Sequence, residues 1–150
     1  MIQASNLRTL VAGKKVLVDS NIIVYLTDLI EPYQQLSKQL FQMVEEGDTE
    51  AVISVLSVGE VMQGSIKQEN FALALEVKDY LINFPNCFCQ EITLKVLDCV
   101  GNDKLVEWDR LRMVDSLILA SGLVNGVDLF VSNDLHFKNA LPHDKVVSFE

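Results

Sequence analysis

Short apolar runs alternate along the chain with longer stretches in which apolar residues recur at steps of three and four. The short runs predict buried strands, and the longer periodic stretches predict helices. The predicted strands span residues 14–18, 51–54, 87–92, 128–132 and 145–149. Because parallel neighbours need a crossover between them, this alternation predicts an α/β fold with a mainly parallel, five-stranded sheet and helices on both faces.

Polar residues and a proline indicate where the first helices begin. Ser20 or Asn21 is expected to cap a helix that begins near Ile22, and Pro32 is expected to open the next helix. No linker, repeat or low-complexity tract interrupts the chain, so residues 1–150 are expected to form a single domain. Further helices are predicted over residues 55–62, 71–81, 94–100 and 114–124.

The composition is typical of an ordinary folded protein. Of the 150 residues, 49% are hydrophobic and 22% are charged, which excludes intrinsic disorder and a collagen-like repeat. Polar residues break the apolar runs before they reach the roughly 18 to 20 residues of a membrane span, and no secretory signal pattern is present. The protein is therefore expected to be cytoplasmic. Cys87, Cys89 and Cys99 lack the spacing of a zinc site and are expected to be core thiols.

The chain carries a strong negative charge. Its 12 Lys and Arg residues and 21 Asp and Glu residues give a formal net charge of −9. This charge argues against broad, non-specific binding to duplex nucleic acid, which requires a basic face. It does not exclude a nucleic-acid substrate, because clustered acids can hold a divalent cation that supplies the positive charge a phosphate needs.

Four acids follow predicted strands or begin predicted helices. Asp19 directly follows the first strand, and Asp134 lies just beyond the fourth. Glu60 lies one to two turns into the helix after the second strand, and Asp115 lies near the start of the 114–124 helix. Ligands of open parallel sheets bind at the carboxyl ends of the strands, so the four carboxylates are able to converge there. Their mutual repulsion would call for a cation, and oxygen ligands favour Mg²⁺ or Mn²⁺.

Each acid also has a purely structural explanation. Asp19 and Asp134 could begin a turn or cap a helix, and Asp115 could be the N-cap of the helix that follows it. Glu60 could be a solvated residue on a helix surface. Single positions do not separate the two interpretations, so the sequence around each acid has to be considered together with the acid.

The segments around the acids share a recognisable order. Residues 16–26 contain a strand, an aspartate, a hydroxyl residue and an asparagine, and the second, third and fourth acids lie in residues 53–61, 115–122 and 129–137. In order, spacing and local context these segments resemble the PIN-domain family. The resemblance is strongest to the short, stand-alone PIN proteins that act as toxins in bacterial and archaeal toxin–antitoxin pairs, and it covers most of the chain.

This resemblance implies a PIN-like three-layer α/β/α fold. It also implies a Mg²⁺- or Mn²⁺-dependent endoribonuclease that hydrolyses RNA phosphodiesters with a metal-activated water. The catalytic and metal-binding acids that it implies are Asp19, Glu60, Asp115 and Asp134. The supporting groups, which would orient the carboxylates or hold a water molecule, are Ser20, Asn21 and Ser132.

Basic residues near the motifs are candidates for contact with RNA. Arg110 and Arg112 precede Asp115, and Lys138 follows the last motif. His136 stands where the family often has another acid, so we expect it to face substrate or solvent rather than metal. The alternative for these residues is an ordinary solvated surface.

The resemblance also implies two kinds of protein partner. Toxin-like members of the family are held inactive by an antitoxin whose peptide lies in a hydrophobic groove, and dimers are common in the family. Apolar residues in 22–30 and 36–44 exceed a single stripe and are expected to form such a groove or a homodimer contact. The alternative is that these residues pack in the core.

Two other functions stay open. A catalytically silent PIN-like interaction module would keep the fold and cleave nothing, although retention of all four acids argues against it. An aspartyl-phosphate phosphatase would use Asp19 as its nucleophile. Asn21 replaces the second acid of the Asp-x-Asp motif typical of such enzymes, and no downstream phosphate-binding lysine is evident.

Overall fold

The computed structural model describes residues 1–150 and contains a parallel sheet of five strands. The strands are β1 (Lys15–Val18), β2 (Glu50–Ser54), β3 (Cys87–Gln90), β4 (Leu129–Val131) and β5 (Val146–Val147). They lie in the order β3-β2-β1-β4-β5, and every neighbouring pair is parallel. The predicted α/β fold with a five-stranded parallel sheet is confirmed, and β1 lies at its centre.

Eight α-helices connect or flank the strands. They are α1 (Ala4–Val11), α2 (Ser20–Thr27), α3 (Gln34–Glu45), α4 (Val55–Lys67), α5 (Phe71–Ile82), α6 (Leu94–Cys99), α7 (Met113–Val124) and α8 (Leu135–Ala140). Short 3₁₀ helices span Trp108–Arg110 and His143–Lys145. The sequence pattern did not predict α1 and α8, because each buries only two side chains and gives little periodic signal. None of the helices combines the length and the apolar character that crossing a bilayer requires.

Alternate residues of the central strand face opposite sides of the sheet. Val16 and Val18 of β1 pack into a cluster of 20 buried residues that includes side chains of α1, α2 and α3. Leu17 packs on the other face into a cluster of 8 buried residues, together with Ile118 and Leu119 of α7. The sheet is therefore the middle layer of a three-layer α/β/α arrangement.

The first two helices after β1 begin differently from the prediction. α2 is capped by Asp19, whose side chain accepts a hydrogen bond from the backbone N–H of Ser20, so the predicted caps at Ser20 and Asn21 are wrong. Pro32 lies in the turn before α3, which begins at Gln34. An acid directly after a strand thus takes the capping position, one residue earlier than the hydroxyl or the amide.

Asn133 holds the C-terminal segment of the chain against the sheet. Its side-chain Oδ1 accepts hydrogen bonds from the backbone N–H of Phe149 (2.7 Å) and from the Ser148 hydroxyl (3.0 Å). These bonds replace ladder hydrogen bonds, so β5 contains two residues instead of the predicted 145–149. The Phe149 side chain is fully buried in the larger cluster.

The apolar residues within α2 and α3 face the core. Ile22 and Ile23 of α2 and Leu40 of α3 are fully buried in the larger cluster. These buried residues fit the core-packing alternative. Leu29 and Ile30, just beyond α2, are 66% and 38% exposed, so the groove or dimer contact stays a prediction. Exposed apolar side chains also lie on α5, β3 and α6, where Phe88 and Leu94 are 56% and 79% exposed.

The three cysteines form no disulfide bonds and are half-buried. Cys87 and Cys89 pack against the larger buried cluster, as expected of core thiols, whereas Cys99 does not belong to it. Cys87 and Cys89 lie on β3, an edge strand with a neighbour on one side only. Burial raises the pKa of the Cys87 thiol to about 12, which keeps it protonated and unreactive at neutral pH.

Helix α7 approaches the sheet closely at Gly122. A methyl group added there would lie 2.8 Å from Cε1 of Phe130 and 3.2 Å from Cβ of Leu17. Both neighbours belong to the smaller buried cluster, so neither has free space to move into. Gly64 in α4 is a matched helical glycine, because its added methyl group would meet only a carboxylate oxygen of Asp28, at 3.9 Å.

We expect Gly122→Ala to lower the free energy of unfolding by about 1–3 kcal/mol, because the added methyl group overpacks the contact between α7 and the sheet. Gly64→Ala should raise it by about 0.5–1 kcal/mol, because alanine loses less backbone entropy in a helix. Urea denaturation of both variants measures the difference. Equal stability of the two variants would contradict the close approach at Gly122.

Candidate metal centre

The carboxyl ends of β1 and β4 meet at one edge of the sheet, and an acid follows each strand. The two strands are hydrogen-bonded neighbours, and the backbone N–H of Asp19 donates to the carbonyl oxygen of Val131 (3.0 Å). Asp134 lies three residues beyond Val131, at the start of α8. The topology therefore places Asp19 and Asp134 at the same edge.

The Asp19 carboxylate is buried and accepts hydrogen bonds from four donors on three residues, the longest of them from the Ser20 hydroxyl to Oδ1 (3.5 Å). Its Oδ1 accepts from the backbone N–H of Ser20 (2.8 Å). Its Oδ2 accepts from the Ser132 hydroxyl (2.7 Å) and from the Asn21 amide (3.2 Å). These are the three residues that the sequence suggested as supporting groups, and each of them contacts the carboxylate directly.

Ser132 connects the two acids. Its hydroxyl donates to Asp19 and accepts the backbone N–H of Asp134 (3.0 Å). The Asn21 amide reaches the same hydroxyl at 3.3 Å, and Asn21 Oδ1 accepts the backbone N–H of Asn133 (3.2 Å). The residues that follow β1 and β4 are thus held in one hydrogen-bond network.

Asp134 is the N-cap of α8. Its Oδ1 accepts the backbone N–H of His136 (2.8 Å), and the Nδ1 atom of the same histidine lies 2.9 Å from that oxygen. The structural explanation for Asp134, a capping role, is therefore correct. Capping occupies Oδ1 only, since Oδ2 accepts no hydrogen bond within the protein.

Asp115 lies in the first turn of α7 and is buried. The N-cap of this helix is Arg112, so the alternative in which Asp115 caps the helix is wrong. Asp115 Oδ2 accepts a hydrogen bond from Arg112 Nε (3.0 Å). The position at a helix N-terminus also favours a negative charge.

The structure brings Asp115, Asp134 and His136 together, with one potential ligand atom from each lying within 4.8 Å of the others. Asp19 and Glu60 are not part of this group of three. Their charges still act on the same region, because the negative charges of Asp134 and Glu60 both raise the pKa of Asp19. The sequence did not predict His136 as a member, although its position two residues after a capping aspartate is a signal that places its ring beside that carboxylate.

The basic residues near the acids differ in their surroundings. Arg112 donates to Asp115 and is 72% exposed, and this hydrogen bond raises the pKa of its guanidinium. Arg110 instead pairs with Glu107 (2.7 Å), and Lys138 pairs with Glu150 (3.4 Å). Of these three cations, Arg112 is the one that contacts the acidic group.

Burial raises the pKa of the Asp19 carboxyl from 3.8 to about 6. The hydrogen bonds from Ser132 and Ser20 lower this pKa, whereas the charges of Asp134 and Glu60 raise it further. The removal of water around a buried carboxylate therefore outweighs the donors that stabilise its ionised form. An ionised Asp19 costs stability in the folded protein unless a positive charge approaches it.

We expect the free energy of unfolding to fall by about 2 kcal/mol between pH 4 and pH 7 because of Asp19. The folded pKa, about 6, is higher than the unfolded value of 3.8, so the folded state holds the proton more tightly. The resulting stability is present at pH 4 and is lost as the pH rises through 6. Urea denaturation without divalent cations, repeated across this range, measures the slope.

Asp19→Asn is the control for this pH dependence, because an amide cannot ionise. Its absolute stability will change with its hydrogen bonds, so the comparison concerns the slope alone. The variant should show a flatter dependence between pH 4 and pH 7. The same slope in both proteins would assign the pH dependence to other groups.

The largest groove of the molecule, about 580 Å³, lies beside the acids rather than over them. Val55, Val58 and Met62 of α4 line one side, and Phe88 of β3 lies on the other. Gly59 also lines the groove and directly precedes Glu60. The lining is therefore mostly apolar, and one of its residues is the sequence neighbour of one of the four acids.

The sequence profile of the PIN domain matches residues 16–140. This range contains β2, β3 and β4, nearly all of β1, and all four acids; β5 lies outside it. No curated protein matches the chain. The profile match covers far more than half of the chain, and its limits coincide with the start of β1 and the end of α8.

Solved structures share this fold at low sequence identity. A chain of VapBC2 from Rickettsia felis, bound to a promoter DNA fragment, aligns with a TM-score of 0.63 and 16% identity over 91% of this chain and 99% of that one. DNA-bound VapBC from Salmonella typhimurium gives a TM-score of 0.64 and 16% identity over 90% and 98% of the two chains. FitAcB from Neisseria gonorrhoeae gives 0.62 and 14% over 90% and 96%. With the profile match over residues 16–140 and this shared architecture, the chain belongs to the PIN domain family.

Proposed function

We propose that this chain is a divalent-metal-dependent endoribonuclease and the toxin component of a toxin–antitoxin pair. The main support is that Asp115 and Asp134 meet at the sheet edge where Asp19 is buried, within a PIN fold. Carboxylates about 4 Å apart repel one another by several kcal/mol even at an effective dielectric constant of about 20. A protein that accepts this cost at one edge of its sheet is expected to use the acids for chemistry.

The proposed catalytic and metal-binding acids are Asp19, Glu60, Asp115 and Asp134, and the proposed ion is Mg²⁺ or Mn²⁺. The donor set fits such an ion, because hard divalent cations prefer carboxylate oxygens. Asp115 Oδ1 and Asp134 Oδ2 accept no hydrogen bond within the protein, so their lone pairs are free for an ion. A bound cation would supply positive charge for phosphate oxygens and would lower the pKa of a water molecule enough to make it a nucleophile.

Ser20, Asn21 and Ser132 would act by holding the Asp19 carboxylate in one orientation. Each carboxylate oxygen accepts two hydrogen bonds, Oδ2 from Ser132 and Asn21 and Oδ1 from the backbone N–H and the hydroxyl of Ser20. An ion at Oδ1 would displace the longest of them, the 3.5 Å bond from the Ser20 hydroxyl. Fixed carboxylates lose little entropy when an ion binds. These three residues are therefore proposed as positioning residues.

Arg112 is the best supported of the proposed phosphate contacts, which also include Arg110 and Lys138. It binds Asp115 through Nε, and its two terminal nitrogens make no hydrogen bond within the protein. A guanidinium edge presented in this way matches two phosphate oxygens. With a net charge of −9, the chain would hold RNA at this centre rather than across a broad basic face.

The proposed partner is an antitoxin whose apolar segment lies in the groove beside Glu60. A complex from Klebsiella pneumoniae that shares the fold, with a TM-score of 0.61 and 18% identity, is a toxin–antitoxin complex. The groove is mostly apolar, and Gly59 in its lining directly precedes Glu60, so a bound peptide could extend a basic side chain toward the acids. We further propose that the protein forms a homodimer and acts on RNA in the cytoplasm.

We expect the purified protein to cleave RNA with Mg²⁺ or Mn²⁺ and to be inactive in EDTA. Asp115→Asn and Asp134→Asn should each lower the cleavage rate by about 10²-fold or more, because each removes a charge that would hold the ion. Glu76→Gln is the matched control, since Glu76 is an exposed acid on α5 far along the chain from the centre. Gel analysis of structured and unstructured RNAs measures cleavage.

Other outcomes of the same assay would favour the alternatives. A wild-type protein that binds a partner and cleaves no RNA with either ion would be an interaction module. Release of phosphate from a phosphomonoester without RNA cleavage would indicate a phosphatase. The structure disfavours the phosphatase, because Asn21 stands where such an enzyme has its second acid. The Asn21 amide donates to Asp19, and its Oδ1 accepts the backbone N–H of Asn133.

We expect Phe88→Glu to weaken binding of the proposed antitoxin, sought as the product of an adjacent gene, by about tenfold or more. The substitution places a charge in the apolar groove. Leu94→Glu is the matched control, since Leu94 is more exposed and does not line the groove. Titration calorimetry with the co-expressed partner measures both affinities. Unchanged binding by Phe88→Glu would place the partner elsewhere.

A further inference from the structure

We propose that His136 is a ligand of the acidic centre and shifts its preference from Mg²⁺ toward Mn²⁺. This inference rests on the metal site of the proposed function. It starts from the group formed by Asp115, Asp134 and His136, whose potential ligand atoms lie within 4.8 Å of one another. The assignment replaces the contact with RNA or solvent that the sequence suggested for His136.

The distances within this group suit one cation. Six ligands at about 2.1 Å from an ion lie about 3.0 Å apart when they are neighbours and about 4.2 Å apart when they are opposite. His136 Nδ1 and Asp134 Oδ1 are 2.9 Å apart and hydrogen-bonded, and this is also the separation of neighbouring ligands, so an ion would take the place of the proton between them. The ligand atoms of all three residues lie within 4.8 Å of one another. Their longest separation therefore has to shorten by less than about 1 Å to reach that of opposite ligands.

The start of α8 fixes the place of the imidazole ring. Asp134 caps this helix by accepting the backbone N–H of His136, so the histidine follows its neighbouring acid by two residues on a rigid turn. The His136 side chain is 51% exposed and the Asp134 side chain 24% exposed. The ring is therefore held beside a carboxylate and remains open to an ion and its water ligands from the solvent side.

The chemistry of the donor atoms determines the expected preference. Mg²⁺ strongly prefers oxygen ligands and keeps several of its waters, whereas imidazole nitrogen suits transition-metal ions. Asp115 and Asp134 supply two oxygen donors, and His136 adds a nitrogen to the same group. A mixed oxygen and nitrogen site loses less affinity for Mn²⁺ than for Mg²⁺ when compared with a site made of oxygen alone.

Electron spin echo envelope modulation of the Mn²⁺-loaded full chain tests the ligand directly. We expect modulation from a coordinated ¹⁴N nucleus in the wild-type protein and its loss in His136→Gln. The chain has only two histidines, so His143→Gln is the matched control and should keep the signal. A structural role for His136 would not produce nitrogen coupling to the ion.

Calorimetric titration with Mn²⁺ and with Mg²⁺ tests the preference. In His136→Asp, which replaces the nitrogen ligand by oxygen, the ratio of Mn²⁺ affinity to Mg²⁺ affinity should fall by roughly tenfold. His143→Asp should leave that ratio unchanged. Because His136 is half exposed, both of its variants are expected to fold, and circular dichroism verifies this.

The two measurements distinguish failure of the ligand from failure of the centre. If the wild-type protein binds no Mn²⁺, the proposed acidic centre fails and the role of His136 fails with it. If Mn²⁺ binds without nitrogen modulation and His136→Asp keeps the wild-type affinity ratio, the ligand assignment is overturned and the centre of carboxylates stands. Nitrogen modulation that disappears only in His136→Gln supports the proposal.

Discussion

The hydrogen bond from the Ser132 hydroxyl to the Asp19 carboxylate is the interaction on which the acidic centre depends. It joins the residues that follow the two central strands, and the same hydroxyl accepts the backbone N–H of Asp134. Ser132 is fully buried, so its hydrogen bonds are not exchanged with water. One side chain therefore sets the position of two acids that lie more than a hundred residues apart in the sequence.

Burying the Asp19 carboxylate near other negative charges costs electrostatic free energy at the carboxyl end of the central strand. Asp19 is buried and lies near other negative charges, so it ionises less readily than an aspartate in water. The two hydrophobic clusters on the faces of the sheet offset that cost, because together they bury the central strands completely. The protein thus combines a stable frame with a locally unfavourable edge, as expected for a site that binds a positively charged ligand.

The sequence predicted the parts of the molecule that depend on regular patterns. Apolar runs located all five strands, and the strand ends placed Asp19 and Asp134 after two neighbouring strands. It failed where one polar side chain competes with another for the same backbone group. Asp19 rather than Ser20 caps α2, because an acid at the strand end reaches the free N–H groups first. The spacing from Asp134 to His136 is visible in the sequence, but the contact between the imidazole and the carboxylate depends on the rotation of one ring, which the residue types do not determine.

The sequence also did not determine which apolar residues of the helices are buried and which are exposed, and the reason is different. A helix that is apolar on more than one face can be buried by two neighbours or can await a partner, and the sequence is the same in both cases. α2 and α3 are enclosed by the sheet and by other helices, so Ile22 and Leu40 are core residues. Exposed apolar side chains lie on β3, at the edge of the sheet, and on the helices around it, and also elsewhere, as at Leu29 and Leu135.

The hydrogen bonds of Asn133 connect the acidic centre with segments near both ends of the chain. Asn133 donates its backbone N–H to Asn21 and accepts from Phe149, and the carbonyl oxygen of Phe149 accepts the backbone N–H of Ile2. The loop that carries the fourth acid therefore shares one amide with the start of α2 and with residues 148–149, so its position depends on how those two segments pack.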